Sequence, residues 1–208
     1  MVRNDYSLPP RKALVCRIAG AIFLVLAMCT ALSALSVAFA PGPKFDCAAG
    51  PCRWTIRPAR LLDDDERAAV VASAATERRF DAYVGQPIVR VGLAGAMAIR
   101  SGPFAILLLG IGMALRRLGA RAGDPLGDAL PWLRVASLGA LAQAFAGPIG
   151  ASLMASLLSR GTPDGPHWIL MLDFNAICIA LMLGVAAYAT VWALEAGIKA
   201  QRDLAEIV

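Results

Sequence analysis

Long runs of apolar residues dominate the pattern along this chain. The longest covers residues 168–194, WILMLDFNAICIALMLGVAAYATVWAL, in which Asp173 is the one formally charged residue. A helix of this length extends about 40 Å, since each residue adds about 1.5 Å, whereas the hydrocarbon core of a bilayer is about 30 Å thick. The run therefore predicts a transmembrane helix with a turn or more to spare.

Three further apolar runs are long enough to cross a membrane, namely residues 18–40, 94–116 and 135–158. The first is too long for the apolar part of a signal peptide, which has about 7–15 residues, so we expect an uncleaved span. Arg100 interrupts the second run, but a long arginine can extend to the interface. The pattern predicts an all-α membrane protein with four transmembrane helices.

The segments between the runs set the orientation. Short basic segments stay in the cytoplasm, which assigns that side to the N-terminal tail and to the link after the second span. The predicted segments are a cytoplasmic tail (1–17), a periplasmic loop with a short helix (41–93), a cytoplasmic link (117–134), a periplasmic turn (159–167) and a cytoplasmic helical tail (195–208).

Composition supports this class. The chain is 58% hydrophobic and 17% charged, whereas soluble domains have about 45–50% apolar and about 25% charged residues. Its net charge of +5 is explained by cytoplasmic Lys and Arg facing anionic lipid, so membrane lipid is an expected partner and direct nucleic-acid binding is not.

Cys47 and Cys52 are separated by four residues in the turn-rich segment CAAGPC of the predicted periplasmic loop. An oxidising compartment favours a disulfide between them. The alternative is a redox-active or metal-binding pair, but no histidine in the loop completes a metal site. The other cysteines are expected to be small buried apolar residues: Cys16, Cys29 and Cys178.

Arg100 and Asp173 are expected to form an ion pair near the outer ends of the second and fourth spans. Ionisable residues in spans are functional candidates by default. The alternatives are a structural pair that locks two helices, or two groups that reach the headgroups separately.

The remaining chemistry-bearing residues favour structural interpretations. His167 is the single histidine and has no companions for a catalytic or metal role. The acidic run 63–66 lacks the spacing of a calcium loop, and an acidic helix start explains it better. No catalytic residue, metal site or cofactor is predicted.

The last residues predict a helix that continues from the fourth span into water. Glu195 and Lys199 are spaced i, i+4, as are Lys199 and Asp203. This tail is a candidate docking surface for a protein partner; alternatively, it rests on the headgroups or on the 116–134 link. The residues proposed for docking are Glu195, Ile198, Lys199, Arg202 and Asp203.

The inner link Gly123-Asp124-Pro125-Leu126, the pair Leu133-Arg134, and the C-terminal pattern Glu195-Ala196-Gly197 through Asp203 to Glu206-Ile207-Val208 carry a resemblance. They resemble small bacterial inner-membrane proteins with four spans that form a family of unknown function. The resemblance implies a four-helix membrane fold. Because members are often encoded beside a small helix-turn-helix regulator, it also implies a regulatory partner, and it brings no catalytic residues.

These observations together predict a non-enzymatic, multi-pass protein of the bacterial inner membrane, with both termini in the cytoplasm. Its expected role is accessory or regulatory, through contacts with a cytoplasmic or membrane protein. One alternative is a small transporter or channel-like protein that uses Arg100 and Asp173. The other is a membrane thiol enzyme that uses Cys47 and Cys52.

Overall fold

The computed structural model describes residues 9–46, 53–120 and 125–207, with side chains in 9–42, 55–120 and 126–197. These ranges contain six α-helices and one pair of strands. The helices are α1 (Pro10–Phe39), α2 (Asp64–Val71), α3 (Ala74–Val84), α4 (Pro87–Leu118), α5 (Pro125–Ser159) and α6 (Phe174–Ile207). The predicted all-α class is confirmed.

Four of the described helices are long and apolar enough to cross a membrane: all of α1 and α4, residues Leu126–Ser159 of α5, and residues Phe174–Gly197 of α6. Three of them begin at a proline, namely Pro10, Pro87 and Pro125. Proline suits the first helical position because the N–H it lacks would have no partner there. These helices therefore start several residues before the apolar runs.

The fourth long helix begins later than the apolar run suggests. The pattern predicts helix from Trp168, but α6 starts at Phe174 and residues 166–173 are not helical. From Phe174 to Gly197 the helix has 24 residues, about 36 Å. It can therefore span a bilayer without the six residues before it.

Residues 41–86 contain more structure than the single short helix expected. Strand β1 (Pro43–Asp46) pairs antiparallel with β2 (Arg53–Ile56), and a 3-10 turn (Pro58–Leu61) precedes α2 and α3. The two helices are separate because Ser73 leaves helical geometry and its hydroxyl accepts a hydrogen bond from the N–H of Ala75 at 3.3 Å, as an N-cap does. The expected acidic start is present as Asp64, Asp65 and Glu66 in the first turn of α2.

The chain divides into two compact units. Unit 1 comprises Met1–Thr30, Pro103–Phe145 and Phe174–Val208; unit 2 comprises Ala31–Gly102 and Ala146–Asp173. In unit 2, α3 contributes Phe80 and Val84 to an apolar cluster in which both are fully buried. Tyr83, also on α3, donates a hydrogen bond to the carbonyl of Leu157 at 2.8 Å. The segment between the first two long helices is thus packed into the core of unit 2.

Unit 1 brings its helices together at glycines. A methyl group built on Gly20 of α1 would lie 2.8 Å from the carbonyl oxygen of Gly112 on α4. One built on Gly110 would lie 2.8 Å from the backbone nitrogen of Ala136 on α5, and Gly184 of α6 packs on Leu141 in the same way. Small residues at such contacts let backbones approach closely.

The three cysteines in the described helices are not buried inside the protein, contrary to the expectation. Cys16 is half-buried, and Cys29 and Cys178 are exposed on α1 and α6. Both exposed cysteines lie among large apolar side chains that are also exposed, such as Met28, Leu32 and Ile179. A thiol is weakly polar and costs little on a lipid-facing helix.

Candidate functional site

A row of serines on α5 in unit 2 holds the non-helical segment before α6. The N–H of His167 lies 3.4 Å from Oγ of Ser159, that of Ile169 lies 3.1 Å from Oγ of Ser156, and that of Met171 lies 2.9 Å from Oγ of Ser152. The hydroxyls of Ser159 and Ser156 also donate to the carbonyls of residues 167 and 169. We call Ser152, Ser156 and Ser159 the serine ladder.

The serine ladder can form because the spacing of alternate residues along an extended chain is similar to the spacing of the three serines along α5. Every second residue of an extended chain is about 6.6 Å further along, whereas positions four and three apart on a helix are about 6.0 and 4.5 Å apart. The segment therefore presents one N–H to each serine in turn as it runs back along α5. Its alternate side chains point away, and Trp168 and Leu170 are 85% and 74% exposed.

The ladder also explains why the helix begins at Phe174. A peptide N–H without a partner is costly near the membrane, and the serines satisfy alternate N–H groups of an extended chain. If the helix began at Trp168, the N–H groups of Ile169 and Met171 would no longer bond to Ser156 and Ser152. Asp173 therefore lies directly before α6 and is exposed, not within a helical span.

Arg100 and the segment that precedes Asp173 both contact the same part of α5. A methyl group built on Gly150 would lie 2.5 Å from Cβ of Arg100, and Met171, two residues before Asp173, is bonded to Ser152. Gly150 and Ser152 are half a turn apart. Arg100 and Met171 thus meet α5 at nearly the same level, and the pairing of Arg100 with Asp173 stays a prediction.

Glu66 and His167 form a second polar contact in unit 2. Oε1 of Glu66 lies 3.8 Å from Nε2 of His167, and the Glu66 side chain is 18% exposed. Burial raises the pKa of Glu66, and the carboxylates of Asp63 and Asp164 raise it further, while His167 lowers it. The contact links α2 to the segment that the serine ladder holds. Because Ser159 of α5 binds His167, it also holds the residue that Glu66 contacts.

These polar groups do not assemble a nucleophilic centre within the described residues. The hydroxyl of Ser159 is fully buried and engaged with the carbonyls of Ser156 and His167. The ring of His167 uses Nδ1 to contact the carbonyl of Gly165 at 2.9 Å and does not approach a hydroxyl. In the described part of the chain, no three His, Cys, Asp or Glu residues could hold a metal ion together.

Unit 1 contributes one ion pair between helices among its described side chains. Nη2 of Arg134 on α5 lies 2.5 Å from Oε2 of Glu195 on α6. Glu195, proposed for partner docking, is therefore engaged within the protein, as the interpretation in which the tail rests on the 116–134 link requires. The side chains of the other docking residues lie outside the described set: Ile198, Lys199, Arg202 and Asp203.

Cys47 and Cys52 also lie outside the described residues, so their disulfide stays a prediction. The described strands nevertheless end at the pair Asp46 and Arg53. The two cysteines are the next residue along each side of that pair.

The serine ladder was missed by sequence reasoning, although a signal was present. Residues 152–159 read SLMASLLS, which places three hydroxyls at i, i+4 and i+7 on one face of a membrane helix. Such hydroxyls either bond their own helix or bind another backbone. No periodicity shows that the backbone N–H groups that bind these hydroxyls lie 8, 13 and 19 residues further along the chain.

Comparisons with known proteins add no constraint. No family model matches the sequence, and neither the curated proteins nor the solved structures give a match. The resemblance to four-span bacterial proteins therefore stays a prediction.

Proposed function

We propose that this chain is an accessory or regulatory protein of the bacterial inner membrane, and that a cytoplasmic protein docks on the end of α6. The observation that carries the proposal is the length of α6. The helix has 34 residues, from Phe174 to Ile207, and is about 51 Å long, whereas the hydrocarbon core of a bilayer is about 30 Å thick. The charged residues after Leu194 therefore extend beyond the core. The Arg134–Glu195 pair anchors the start of this extension to α5.

A helix that extends a span is well suited to docking. An isolated helix of this length is marginal in water because nucleation is unfavourable, but α6 supplies the nucleus. The extension contains Lys199, Arg202 and Asp203, so water can solvate it. A partner would thus meet a preformed helix and would not have to order it on binding.

The charge distribution supports a cytoplasmic location for this end. The described side chains of unit 1 include six cations, Arg11, Lys12, Arg17, Arg116, Arg117 and Arg134, and two anions, Asp128 and Glu195. Cytoplasmic segments near membrane spans carry such an excess of Lys and Arg. With four spans, both termini would lie on that side.

The state of the polar groups supports a non-enzymatic role. The buried hydroxyls of the ladder serve as backbone partners, and the His167 ring contacts Gly165 and Glu66. These contacts stabilise structure. Protein contact is therefore a better proposal than chemistry at the ladder hydroxyls or at His167.

Deletion of residues 200–208 tests the docking proposal. Partners cross-linked in intact cells are compared between the full chain, the truncated chain and the Glu195→Gln variant, which loosens the anchor but keeps the tail. We expect truncation to remove a cytoplasmic partner completely, and Glu195→Gln to weaken its recovery only partly. A truncated chain that retains every partner would overturn the proposal.

Fusion of alkaline phosphatase after Val208 tests the orientation. The proposal expects an inactive reporter, because phosphatase folds only after export. Strong activity would place the tail in the periplasm and would exclude a cytoplasmic partner on α6.

A further inference from the structure

Two arginines of unit 1 lie in a reciprocal arrangement where α1 meets the end of α4. A methyl group built on Gly20 would lie 2.8 Å from Cγ of Arg116, and one built on Gly119 would lie 3.0 Å from Cγ of Arg17. Each arginine stem thus passes over a glycine of the other segment. Because any larger residue would collide with the stem, the two glycines fix where both guanidinium groups emerge.

Arg17 is held in place but retains donors. Its Nε donates to the carbonyl of Gly119 at 2.9 Å, which satisfies a backbone acceptor at the end of α4. A guanidinium has five N–H donors, so its Nη groups remain for another acceptor. Arg17 and Arg116 are both exposed.

Within the described part of unit 1, no carboxylate neutralises these two arginines. Glu195 pairs with Arg134, and Asp128 is exposed at the start of α5 without an ion pair to Arg17 or Arg116. Two fixed cations that no described carboxylate neutralises attract an anion with several acceptor oxygens, because a guanidinium binds such groups through two parallel bonds.

We propose that Arg17 and Arg116 bind the phosphate group of an anionic phospholipid. Their positions favour a lipid over a free anion. The apolar run of α1 begins directly after Arg17, at Ile18, and that of α4 ends directly before Arg116. Headgroup phosphates lie at this boundary.

The surface beside the arginines suits the rest of the lipid. Leu14 and Ile18, which flank Arg17 on α1, are 58% and 53% exposed. They provide apolar contact for an acyl chain next to the phosphate. A free phosphate would gain nothing from these side chains, so we assign the site to a lipid. This assignment is independent of the docking proposed for α6.

The test is native mass spectrometry of the full chain in detergent, titrated with phosphatidylglycerol or phosphatidylcholine. We expect preferential retention of phosphatidylglycerol. Arg116→Gln should weaken its binding about fivefold, since a surface arginine contributes on the order of that factor. Arg17→Gln should do the same, but Arg116→Gln is the cleaner variant because Arg17 also bonds Gly119.

The matched control is the double variant Arg11→Gln and Lys12→Gln, which removes two exposed cations of α1 away from the glycine contact. Binding unchanged in this control but lost in Arg116→Gln would support the site. Equal weakening in both would show that net charge alone attracts the lipid and would overturn it. Displacement of phosphatidylglycerol by millimolar inorganic phosphate would instead assign the arginines to a free anion and overturn the lipid assignment.

Discussion

Unit 1 and unit 2 differ in what their helices bury. The buried apolar residues of unit 2 are mostly large, and Phe80, Leu93 and Leu158 are almost completely excluded from the surface. Those described for unit 1 are mostly alanines: Ala13, Ala27, Leu108, Ala114, Ala129, Ala136, Ala144 and Val191. Large side chains thus fill one unit, and close backbone contact holds the other.

The short helices of unit 2 account for part of this difference. Lipid is as apolar as leucine, so burying a large side chain between two spans gains little, and small residues that allow close contact are favoured. Helices α2 and α3 of unit 2 are too short to cross a membrane. Their apolar faces gain from leaving water, as in a soluble protein.

Charge separates the units as well. The described side chains of unit 2 include eight cations and eight anions, against six and two in unit 1. An excess of Lys and Arg beside membrane spans is the pattern on which the proposed orientation depends, and the described side chains of unit 2 do not have it.

The largest effect should come from emptying the core of unit 2. Phe80→Ala should lower the free energy of unfolding by about 3–5 kcal/mol, since a fully buried phenylalanine leaves a cavity. Phe39→Ala is the matched control, because Phe39 belongs to the same unit but is 79% exposed. Chemical unfolding in detergent measures both, and similar losses would show that unit 2 has no specific core.

Two glycine-to-alanine substitutions test the close packing of unit 1. Both should change the free energy of unfolding less than Phe80→Ala does, and in opposite directions. Gly20→Ala places a methyl group 2.8 Å from the carbonyl of Gly112, and the forced shift should cost about 1–3 kcal/mol. Gly197→Ala, also in unit 1, meets nothing within 4 Å and should stabilise its helix by up to about 1 kcal/mol. Thermal unfolding of both variants provides the measurement. Equal responses would contradict close packing at Gly20.

The sequence predicted those features that depend on local pattern. Four spans follow from apolar length, and the acidic start of α2 follows from residues 63–66. Contacts between distant residues could not be read from it. Trp168 to Asp173 have the composition of a span, and the contacts of their segment with the hydroxyls of α5 explain why it is not helical. Similarly, the arginines at Gly20 and Gly119 are visible in the sequence, but their reciprocal contact requires two helices to meet.

The serine ladder should contribute less than either packing effect. Ser156→Ala removes the partner of the Ile169 N–H, and an amide left without a partner costs about 1–3 kcal/mol if it stays buried, less if water reaches it. Ser101→Ala is the control, since its hydroxyl bonds the carbonyl of Met97 in its own helix. Amide hydrogen exchange at residues 167–171 should accelerate in the first variant only. Unchanged exchange at Ile169 would show that the serine does not hold the segment.

The smallest expected effect is a pH dependence confined to unit 2. Burial raises the pKa of Glu66, with Asp63 and Asp164 acting in the same direction and His167 opposing them. Burial likewise raises the pKa of Asp81. The charge of Glu77 raises this pKa further, and the charge of Arg57 lowers it. A carboxyl whose pKa is higher in the folded state binds its proton more tightly there. Its contribution to stability is therefore complete below the unfolded pKa and is lost as the pH rises through the folded pKa.

The wild-type chain should accordingly gain stability, relative to variants without these groups, as the pH falls from 7.5 towards the ordinary range of a carboxyl. Glu66→Gln should reduce this gain, and adding Asp81→Asn should reduce it further. Asp65→Asn, an exposed acid in the same turn of α2, is the control. The gain in stability is measured, for each variant, as the change in thermal unfolding midpoint between pH 7.5 and a pH within the ordinary range of a carboxyl. Equal changes in the pH dependence from Glu66→Gln and Asp65→Asn would show that burial does not raise the pKa of Glu66, and that α2 does not contact the segment at His167.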